Sequence, residues 1–261
     1  MTQMTSGQFG IIPRGKRLRI RAPCGLEIID NSVICSHHEI RLFCNLSLAA
    51  TQRLSAITSA SSYPKGTTLF VEGESARGVF IVCAGRVKLS TCSTDGKTLI
   101  VRIAETGEVL GLPGTVTGRS YELTADAIEP TQTKFISRTD FLGFLREYSE
   151  AGVRVAQQLG ESYHAAIAEM RSIALSRSVG EKLARFLLDW AANHANGQDG
   201  TRVKLKLTHE EIAQMIGSSR EAVTRHLVVF KKKQFVQIMG STLIISNRSA
   251  LEKLIESRLG P

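Results

Sequence analysis

The sequence predicts an α+β fold, in which an antiparallel β-rich domain precedes a long helix and a smaller domain of helices and short strands. Three observations support this prediction. Between residues 63 and 137, short apolar runs alternate with turn residues, as in a jelly roll or small barrel. After Asp140, apolar residues recur at spacings of three and four, which is a helical period. From Thr208, two capped helices are followed by two strand-like runs around Gly240.

Residues 1–36 are expected to form a flexible basic leader. They mix Gly, Pro, Arg and Lys without a sustained period, and the basic residues between 14 and 21 would repel one another if packed together. The segment lacks the apolar core and small-residue cleavage site of a secretory signal. No apolar run in the sequence approaches the roughly 18 residues that a spanning helix needs. We therefore expect a cytoplasmic protein with no membrane partner.

Residues 37–147 are expected to form the β-rich domain. Its predicted strands lie in the runs GTTLFVEGE, GVFIVCAGRVKLST, TLIVRIAE, YELTADA and TKFIS. Between the second and third runs, Asp95-Gly96 supplies the positive φ that a tight hairpin requires. The pattern predicts an antiparallel β-roll.

Residues 148–176 are expected to form a long helix that pairs with a second copy of the chain. Apolar or small residues recur there at alternating spacings of three and four, which is the pattern of a dimer seam. The alternative is a helix that packs on its own sheet domain. The expected seam residues are Ala156, Leu159, Tyr163, Ala166, Met170 and Ile173.

Residues 177–250 are expected to form a separate domain. Ser178 and Glu181 offer a capping box for its first helix, whose apolar stripe runs from Val179 to Trp190. A loop of Asn, Gly and Asp residues then leads to the strand-like run RVKLKL. Residues 251–261 are expected to be a C-terminal tail.

Two further capped helices follow within this domain. Thr208 and Glu211 can cap the first, Gly217 permits a sharp turn, and Ser218 with Glu221 repeats the capping pattern for the second. On the second helix, apolar residues lie on one face, and polar residues lie on the opposite face from the first turn onward. In a helix-turn-helix, such a face enters the major groove. The polar face carries Arg220, Glu221, Thr224 and Arg225.

The charge distribution favours a nucleic-acid partner. The formal net charge is +9, and residues 201–261 carry eleven basic against five acidic side chains, whereas residues 61–200 are nearly balanced. Basic side chains release counterions from nucleic acid when they bind it. Lys231, Lys232 and Lys233 follow the second helix, beside which phosphates would pass, and the strands around Gly240 form a wing. The order of helix, turn, polar-leading helix and wing predicts double-stranded DNA as the partner.

The run IGSSREAVTRHLVVFKKKQFVQIMGSTLIIS resembles the C-terminal domain of the Crp/Fnr regulators, and the resemblance extends back to about Leu42. It implies a homodimer that binds a palindromic, TGTGA-like operator through a Crp-type winged helix-turn-helix, with RNA polymerase as a further partner. It also implies that Arg220, Glu221 and Arg225 read bases and that Ser219 meets a phosphate. The resemblance also implies activation of transcription, which is commoner than repression among members of this family.

The resemblance identifies the β-roll as similar to a cyclic-nucleotide-binding domain, and implies a cyclic nucleotide or another small molecule as effector. The chain departs from the nucleotide-binding pattern, because Leu112-Pro113 replaces the expected Gly-Glu-Leu and removes the ribose acceptor. Arg119-Ser120 could clamp a cyclic phosphate, but aligning the flanking strands puts Tyr121 and Glu122 at those positions instead. An acidic side chain there would repel phosphate. The candidate effector residues are Gly111, Leu112, Arg119, Ser120, Tyr121 and Tyr163.

The cysteines raise an alternative function, an iron-sulfur or other metal sensor. One branch of the same family holds a cluster with closely spaced N-terminal cysteines, but Cys24, Cys35 and Cys44 are separated by ten and eight residues. His37 and His38 extend the choice to zinc. We expect no bound metal, and Cys83 as a small apolar residue on a strand. No phosphate-binding glycine loop, zinc helix signature or nucleophile elbow was found, so we expect no enzyme activity.

Overall fold

The β-rich domain consists of two four-stranded antiparallel sheets. The computed structural model describes residues 19–21, 27–29, 42–43, 46–175, 178–194 and 202–256. One sheet has the order β3-β10-β5-β8 and the other β4-β9-β6-β7. The predicted β-roll is thereby confirmed. The strands are β3 (Ser59–Tyr63), β4 (Thr68–Phe70), β5 (Gly78–Ala84), β6 (Val87–Cys92), β7 (Thr98–Ala104), β8 (Val109–Leu110), β9 (Thr124–Ala127) and β10 (Thr131–Ser137).

Strands β6 and β7 form the predicted hairpin. The amide of Gly96 donates to the Ser93 carbonyl at 2.9 Å, and the Ser93 amide donates to the Lys97 carbonyl at 2.9 Å. Gly96 has φ of +81°, which a glycine adopts without the penalty of a Cβ. Ahead of the sheets, β1 (Arg19–Arg21) pairs antiparallel with β2 (Glu27–Ile29), within the segment expected to be a flexible leader.

Four of the described helices accompany the sheets. They are α1 (Leu48–Ala56), α2 (Leu112–Thr117), α3 (Arg138–Glu147) and α4 (Ser149–Leu175). The short helix α2 begins after Gly111 and sends Leu112 into an apolar cluster with Phe141 of α3 and Val155 of α4. The first half of α4 therefore packs on the chain's own sheet domain. This was the alternative to pairing with a second copy of the chain.

The C-terminal domain has a core of its own, built around Leu183, Leu187, Ile212, Leu227 and Leu243. Its sheet has the order β11-β13-β12. The elements are α5 (Val179–His194), β11 (Arg202–Lys204), α6 (His209–Met215), α7 (Arg220–Lys232), β12 (Val236–Met239), β13 (Thr242–Ile245) and α8 (Arg248–Glu256).

The end of this domain differs from the expected boundary. We expected a tail from residue 251, but α8 crosses that point, and Leu251 is fully buried against the core that α5 helps to form. The reason is the strong amphipathic pattern of residues 248–256, in which Leu251, Leu254 and Ile255 share one face. The tail interpretation is therefore wrong for residues 251–256.

The two domains contact each other where α6 packs against the edge strand β7. Beside this contact, His194 Nε2 of α5 lies 3.6 Å from a carboxylate oxygen of Glu105. A cleft of about 260 Å³ separates β7 from α5, with Ile103, Phe186, Trp190 and Ile216 among its lining residues. Among the described helices, none is both long and apolar enough to cross a membrane.

Candidate nucleic-acid interface

Local hydrogen bonds define the start of α6 and the turn that joins it to α7. Thr208 caps α6, because its hydroxyl accepts from the Glu211 amide at 3.1 Å while the Glu211 carboxylate accepts from the Thr208 amide at 2.7 Å. This is the predicted capping box. After α6, Gly217 adopts φ of +59°, and the Ser218 amide donates to the Ala213 carbonyl at 2.9 Å. The chain then starts α7 in a new direction.

The cap of α7 is Ser219, not Ser218. The Ser219 hydroxyl accepts a hydrogen bond from the Ala222 amide at 3.2 Å. Both serines carry a hydroxyl that could accept this bond, but residue 218 still belongs to the turn that closes α6, where its amide donates to the Ala213 carbonyl. The extended backbone of an N-cap, with φ of −96° and ψ of 150°, is found at Ser219. The expected capping role of Ser218 is therefore wrong, and Ser218 is a half-buried turn residue.

Helix α7 is anchored on one side and open on the other. Its buried residues are Ala222, Val223, Leu227 and Phe230, and they pack into the core of the C-terminal domain. The residues predicted to face the groove lie on the opposite side: Arg220, Glu221 and Arg225 are exposed and Thr224 is half-buried. The sequence prediction of a polar leading face is consistent with this arrangement.

The first turn of α7 has a defined electrostatic character. The pKa of Glu221 is lowered from its ordinary value by a bond to its own backbone amide, by the Ser219 hydroxyl and by the positive charges of Arg220 and Arg225. Glu221 is therefore an anion at neutral pH, between two guanidinium groups. Such a surface presents two bidentate donors for guanine and one acceptor for the cytosine amine.

Sequence reasoning missed His209, which contacts α7 from the start of α6. Its Nδ1 lies 2.9 Å from the Thr224 hydroxyl, and that hydroxyl donates to the Arg220 carbonyl at 2.8 Å. This contact crosses between two helices, so no local pattern in either helix indicates it. The sequence gives one indication of this contact: a histidine stands at the first position of α6, and a threonine stands on the polar face of α7.

The three lysines at the end of α7 are exposed, and the helix ends among them. Lys231 and Lys232 lie in the last turn, where positive charge is favourable, and Lys233 sits over the Phe235 ring at 5.9 Å. Gln234 follows with φ of +58°, and the Phe235 amide donates to the Phe230 carbonyl at 2.9 Å. This reversal sends the chain directly into β12, the first strand of the wing.

In the β-roll, Tyr121 fills the space beside Gly111. Its ring is 2% exposed and stacks on Phe70 with centroids 4.1 Å apart. Its hydroxyl donates to the Gly78 carbonyl at 2.8 Å and accepts from the Gly78 amide at 3.3 Å. Burial raises the pKa of this hydroxyl above its ordinary value, although the bonds to Gly78 oppose the shift. A Cβ built on Gly111 would lie 2.6 Å from the Tyr121 ring.

The other candidate effector residues are dispersed. Leu112 is buried in the apolar cluster that joins α2 to α4, while Arg119 and Ser120 are exposed at the surface. Position 121 is thus the one that faces inward beside α2, which favours the alignment that places Tyr121 at the expected phosphate clamp. Tyr163 is 66% exposed on α4, well beyond the half of the helix that the sheet domain covers.

The exposed apolar run on α4 differs in part from the predicted dimer seam. Leu159 packs against the chain's own sheet domain, whereas Val153, Tyr163 and Met170 are large and exposed. A run at alternating spacings of three and four passes through Val153, Ala156, Gly160, Tyr163, Ile167 and Met170. Ala166 is exposed beside this run, and the side chain of Ile173 lies outside the described structure.

The candidate metal ligands fall in the part of the chain that the structure does not describe. Cys24, Cys35, Cys44, His37 and His38 all lie outside the described residues. Within the described ranges, no group of three or more metal-ligating side chains comes together. Cys83 is half-buried on β5 and Cys92 is exposed at the end of β6.

Comparison with known proteins assigns a type to each domain. Residues 60–148 match the model of the cyclic nucleotide-binding domain, and residues 181–254 match the model of the Crp-like helix-turn-helix domain. A global nitrogen regulator of Synechocystis is 27% identical over 74% of this chain and 86% of its own length. A CRP-like cAMP-activated global transcriptional regulator of Mycobacterium tuberculosis is 24% identical over 73% of this chain and 85% of its own length.

Solved structures show the same architecture. FixK2 from Bradyrhizobium japonicum superposes with a TM-score of 0.67 at 23% identity, covering 76% of this chain and 97% of its own. A CooA mutant from Carboxydothermus hydrogenoformans superposes with a TM-score of 0.68 at 20% identity, covering 83% of this chain and 96% of its own. At these identities, the likeness concerns the fold, and the chemistry of each site must come from this chain's own residues.

Proposed function

The chain belongs to the Crp/Fnr family of transcription regulators, and from this premise we propose that it binds a palindromic operator as a homodimer through helix α7. The observation that carries the proposal is the polar face of α7, which is exposed while the opposite face is anchored in a rigid core. A helix held in this way can enter the major groove without rearrangement.

The roles of individual residues follow from their positions on α7. Arg220 and Arg225 are proposed to donate to guanine acceptors, and Glu221 to accept from a cytosine amine. Ser219 is proposed to meet a phosphate at the start of the helix, and Ser218 and Thr208 are proposed to add further contacts to the DNA backbone. Lys231, Lys232 and Lys233 are proposed to contact the backbone, which adds affinity without sequence discrimination.

The homodimer is proposed to form along α4. Members of this family are dimers, and the exposed apolar run on α4 supports the same arrangement here. Two copies of α7 related by a two-fold axis would then reach two half-sites about one helical turn apart. Because the operator has the symmetry of the dimer, each half-site presents the same bases to each α7.

The experiment is selection of bound DNA sequences by the full-length protein, followed by affinity measurement on the selected palindrome at several salt concentrations. Arg225→Ala is expected to weaken binding to the palindrome and to relax discrimination at one position of each half-site. Lys232→Ala is the matched control, because it is expected to weaken binding on all sequences and to flatten the salt dependence. Unchanged discrimination in Arg225→Ala contradicts the assignment.

The β-roll is the sensor, and we propose that Tyr121 determines what it senses. On the alignment that puts Tyr121 at the family's phosphate clamp, a cyclic nucleotide would have to displace a side chain that is stacked on Phe70 and hydrogen-bonded to Gly78. We therefore propose a different small molecule as the effector. A thermal-shift screen of nucleotides and metabolites tests this, because a ligand that prefers the folded state raises the melting temperature. A shift with cyclic AMP at micromolar concentration contradicts the proposal.

The remaining features of the proposal follow from regulation of transcription. We propose RNA polymerase as the protein partner, since a regulator bound at a promoter acts on the enzyme that transcribes from it. We propose a cytoplasmic location because the bacterial chromosome lies there, and a non-enzymatic role because binding alone accomplishes regulation. Turnover that survives deletion of residues 177–261 contradicts the last point.

A further inference from the structure

The DNA-facing side of α7 carries two side chains with apolar surface among its charges. At about 100° per residue, Thr224 lies about 40° and Val228 about 80° from Arg220, so both fall between Arg220 and Arg225. In the same projection, the buried residues of α7 lie between about 200° and 340° from Arg220, outside the arc that leads from Arg220 to Arg225. Val228 is 47% exposed, so its apolar surface is open to whatever the helix contacts.

The hydroxyl of Thr224 is already engaged within the protein. A threonine hydroxyl has one proton to donate, and at 2.8 Å this proton goes to the Arg220 carbonyl, which can only accept. The contact of 2.9 Å with His209 Nδ1 must then be donated by the imidazole, so Nδ1 carries a proton. Two bonds therefore turn the hydroxyl toward α6 and the backbone of α7. The γ-methyl group is left as the unengaged part of the side chain.

We propose that the γ-methyl group of Thr224 reads a thymine by contact with its C5-methyl group, that Val228 extends this apolar surface by one turn, and that His209 is a positioning residue. This inference rests on the proposed function, because it requires α7 to lie in the major groove. Among the four bases, thymine alone presents a methyl group there, and a threonine methyl is a suitable partner. His209 holds the rotamer that keeps the methyl group outward.

The test removes the methyl group from either side of the contact. In the selected operator, each thymine is replaced in turn by deoxyuridine, which keeps base pairing and lacks the C5-methyl group. At one position per half-site, the wild-type protein is expected to lose affinity roughly fourfold for one substituted half-site and roughly fifteenfold for both, the effect of withdrawing one buried methyl group per half-site. A selected operator without a fixed thymine, or full affinity for every substituted operator, overturns the inference.

Two variants separate the methyl group from the hydroxyl. Thr224→Val keeps the methyl group and loses the hydroxyl, so it is expected to remain sensitive to deoxyuridine. Thr224→Ser keeps the hydroxyl and loses the methyl group, so it is expected to bind thymine and deoxyuridine operators equally. The reverse pattern, with sensitivity kept by serine and lost by valine, shows that the hydroxyl reads the base and overturns the inference.

Two further variants test the neighbours of Thr224. His209→Ala is expected to reduce the deoxyuridine effect at least twofold, because the variant loses one of the two bonds that hold the Thr224 rotamer. Val228→Ala is compared with Val229→Ala, since Val229 is similarly exposed but lies outside the arc between the two arginines. A loss of affinity that is larger for Val228→Ala is expected. Equal losses for the two valines, or a full deoxyuridine effect in His209→Ala, overturn those parts of the inference.

The same experiment distinguishes this inference from the function on which it rests. If the wild-type protein selects no sequence at all, the proposed function fails. If it selects a palindrome and Arg225→Ala relaxes the specificity, the function stands. The deoxyuridine series then decides the role of Thr224 separately, with melting curves of every variant as the control for folding.

Discussion

Replacing Gly111 by alanine tests whether Tyr121 fills the sensor domain. Gly111 has φ of +74°, and a Cβ there would lie 2.6 Å from Tyr121 Cε1 and 3.2 Å from the Gly78 carbonyl oxygen. The backbone conformation alone costs an alanine about 1–2 kcal/mol. The forced displacement of a packed ring adds about 1–3 kcal/mol. We therefore expect Gly111→Ala to lower the free energy of unfolding by about 2–5 kcal/mol.

The two contributions separate in a double-mutant cycle. In a Tyr121→Ala background the ring is absent, so Gly111→Ala should cost only the backbone part, about 1–2 kcal/mol. The coupling energy is then about 1–3 kcal/mol, which exceeds the 0.3–0.5 kcal/mol expected from independent sites. Tyr121→Phe is the matched control, because it keeps the ring and removes the two hydrogen bonds to Gly78. In that background the full cost of Gly111→Ala should remain.

The assay is urea unfolding followed by two signals. Circular dichroism reports both domains, whereas fluorescence of the single tryptophan, Trp190, reports the C-terminal domain, whose core contains it. The sensor variants should move the dichroism transition and leave the fluorescence transition in place. If Gly111→Ala costs the same in the wild-type and Tyr121→Ala backgrounds, the ring does not abut Gly111, and the argument for a filled pocket is wrong.

Three further predictions concern the other parts of the molecule. Ser219→Ala should destabilise the C-terminal domain by about 1 kcal/mol through loss of the α7 cap, while Ser218→Ala should stay within about 0.5 kcal/mol, both measured by Trp190 fluorescence. Met170→Glu should weaken dimerisation in sedimentation experiments, whereas Ser162→Glu, on another face of α4, should not. Because the folded-state pKa of Glu221 is lowered, its stabilising contribution is present above its ordinary pKa of 4.5 and is lost as pH falls through the lowered value. Glu221→Gln should therefore flatten the dependence of stability on pH in that acidic range, and an unchanged slope contradicts the assignment.

The sequence predicted those features that depend on neighbours along the chain. The hairpin at Asp95-Gly96, the capping box of Thr208 and Glu211, and the two faces of α7 each depend on residues within a few positions of one another. Adjacent serines at 218 and 219 left the α7 cap ambiguous, because local chemistry allows either to cap. The structure places residue 218 in the turn that closes α6 and gives Ser219 the extended backbone of an N-cap.

The contacts that were not predicted all cross between elements. His209 reaches Thr224 because α6 and α7 meet at one angle, and Leu159 turns inward because α2 and α3 cover that side of α4. A helical period of apolar residues predicts that one face of the helix is buried, but it does not identify the element that covers this face. On α4, the sheet domain covers part of the apolar period, so the exposed apolar run could be identified only once the sheet domain was placed.

Packed side chains connect the surroundings of Tyr121 in the β-roll to helix α4 and to helix α6. Tyr121 abuts Gly111, the next residue Leu112 packs with Val155, and Val155 lies on the same helix as the exposed seam. We therefore expect a ligand that displaces the ring to act on α4 through Gly111 and Leu112. A second connection runs from β7 to α6, which carries His209 and so the rotamer of Thr224. Because both connections consist of packed side chains, we expect a change beside Tyr121 to alter the spacing of the two copies of α7 in the proposed dimer.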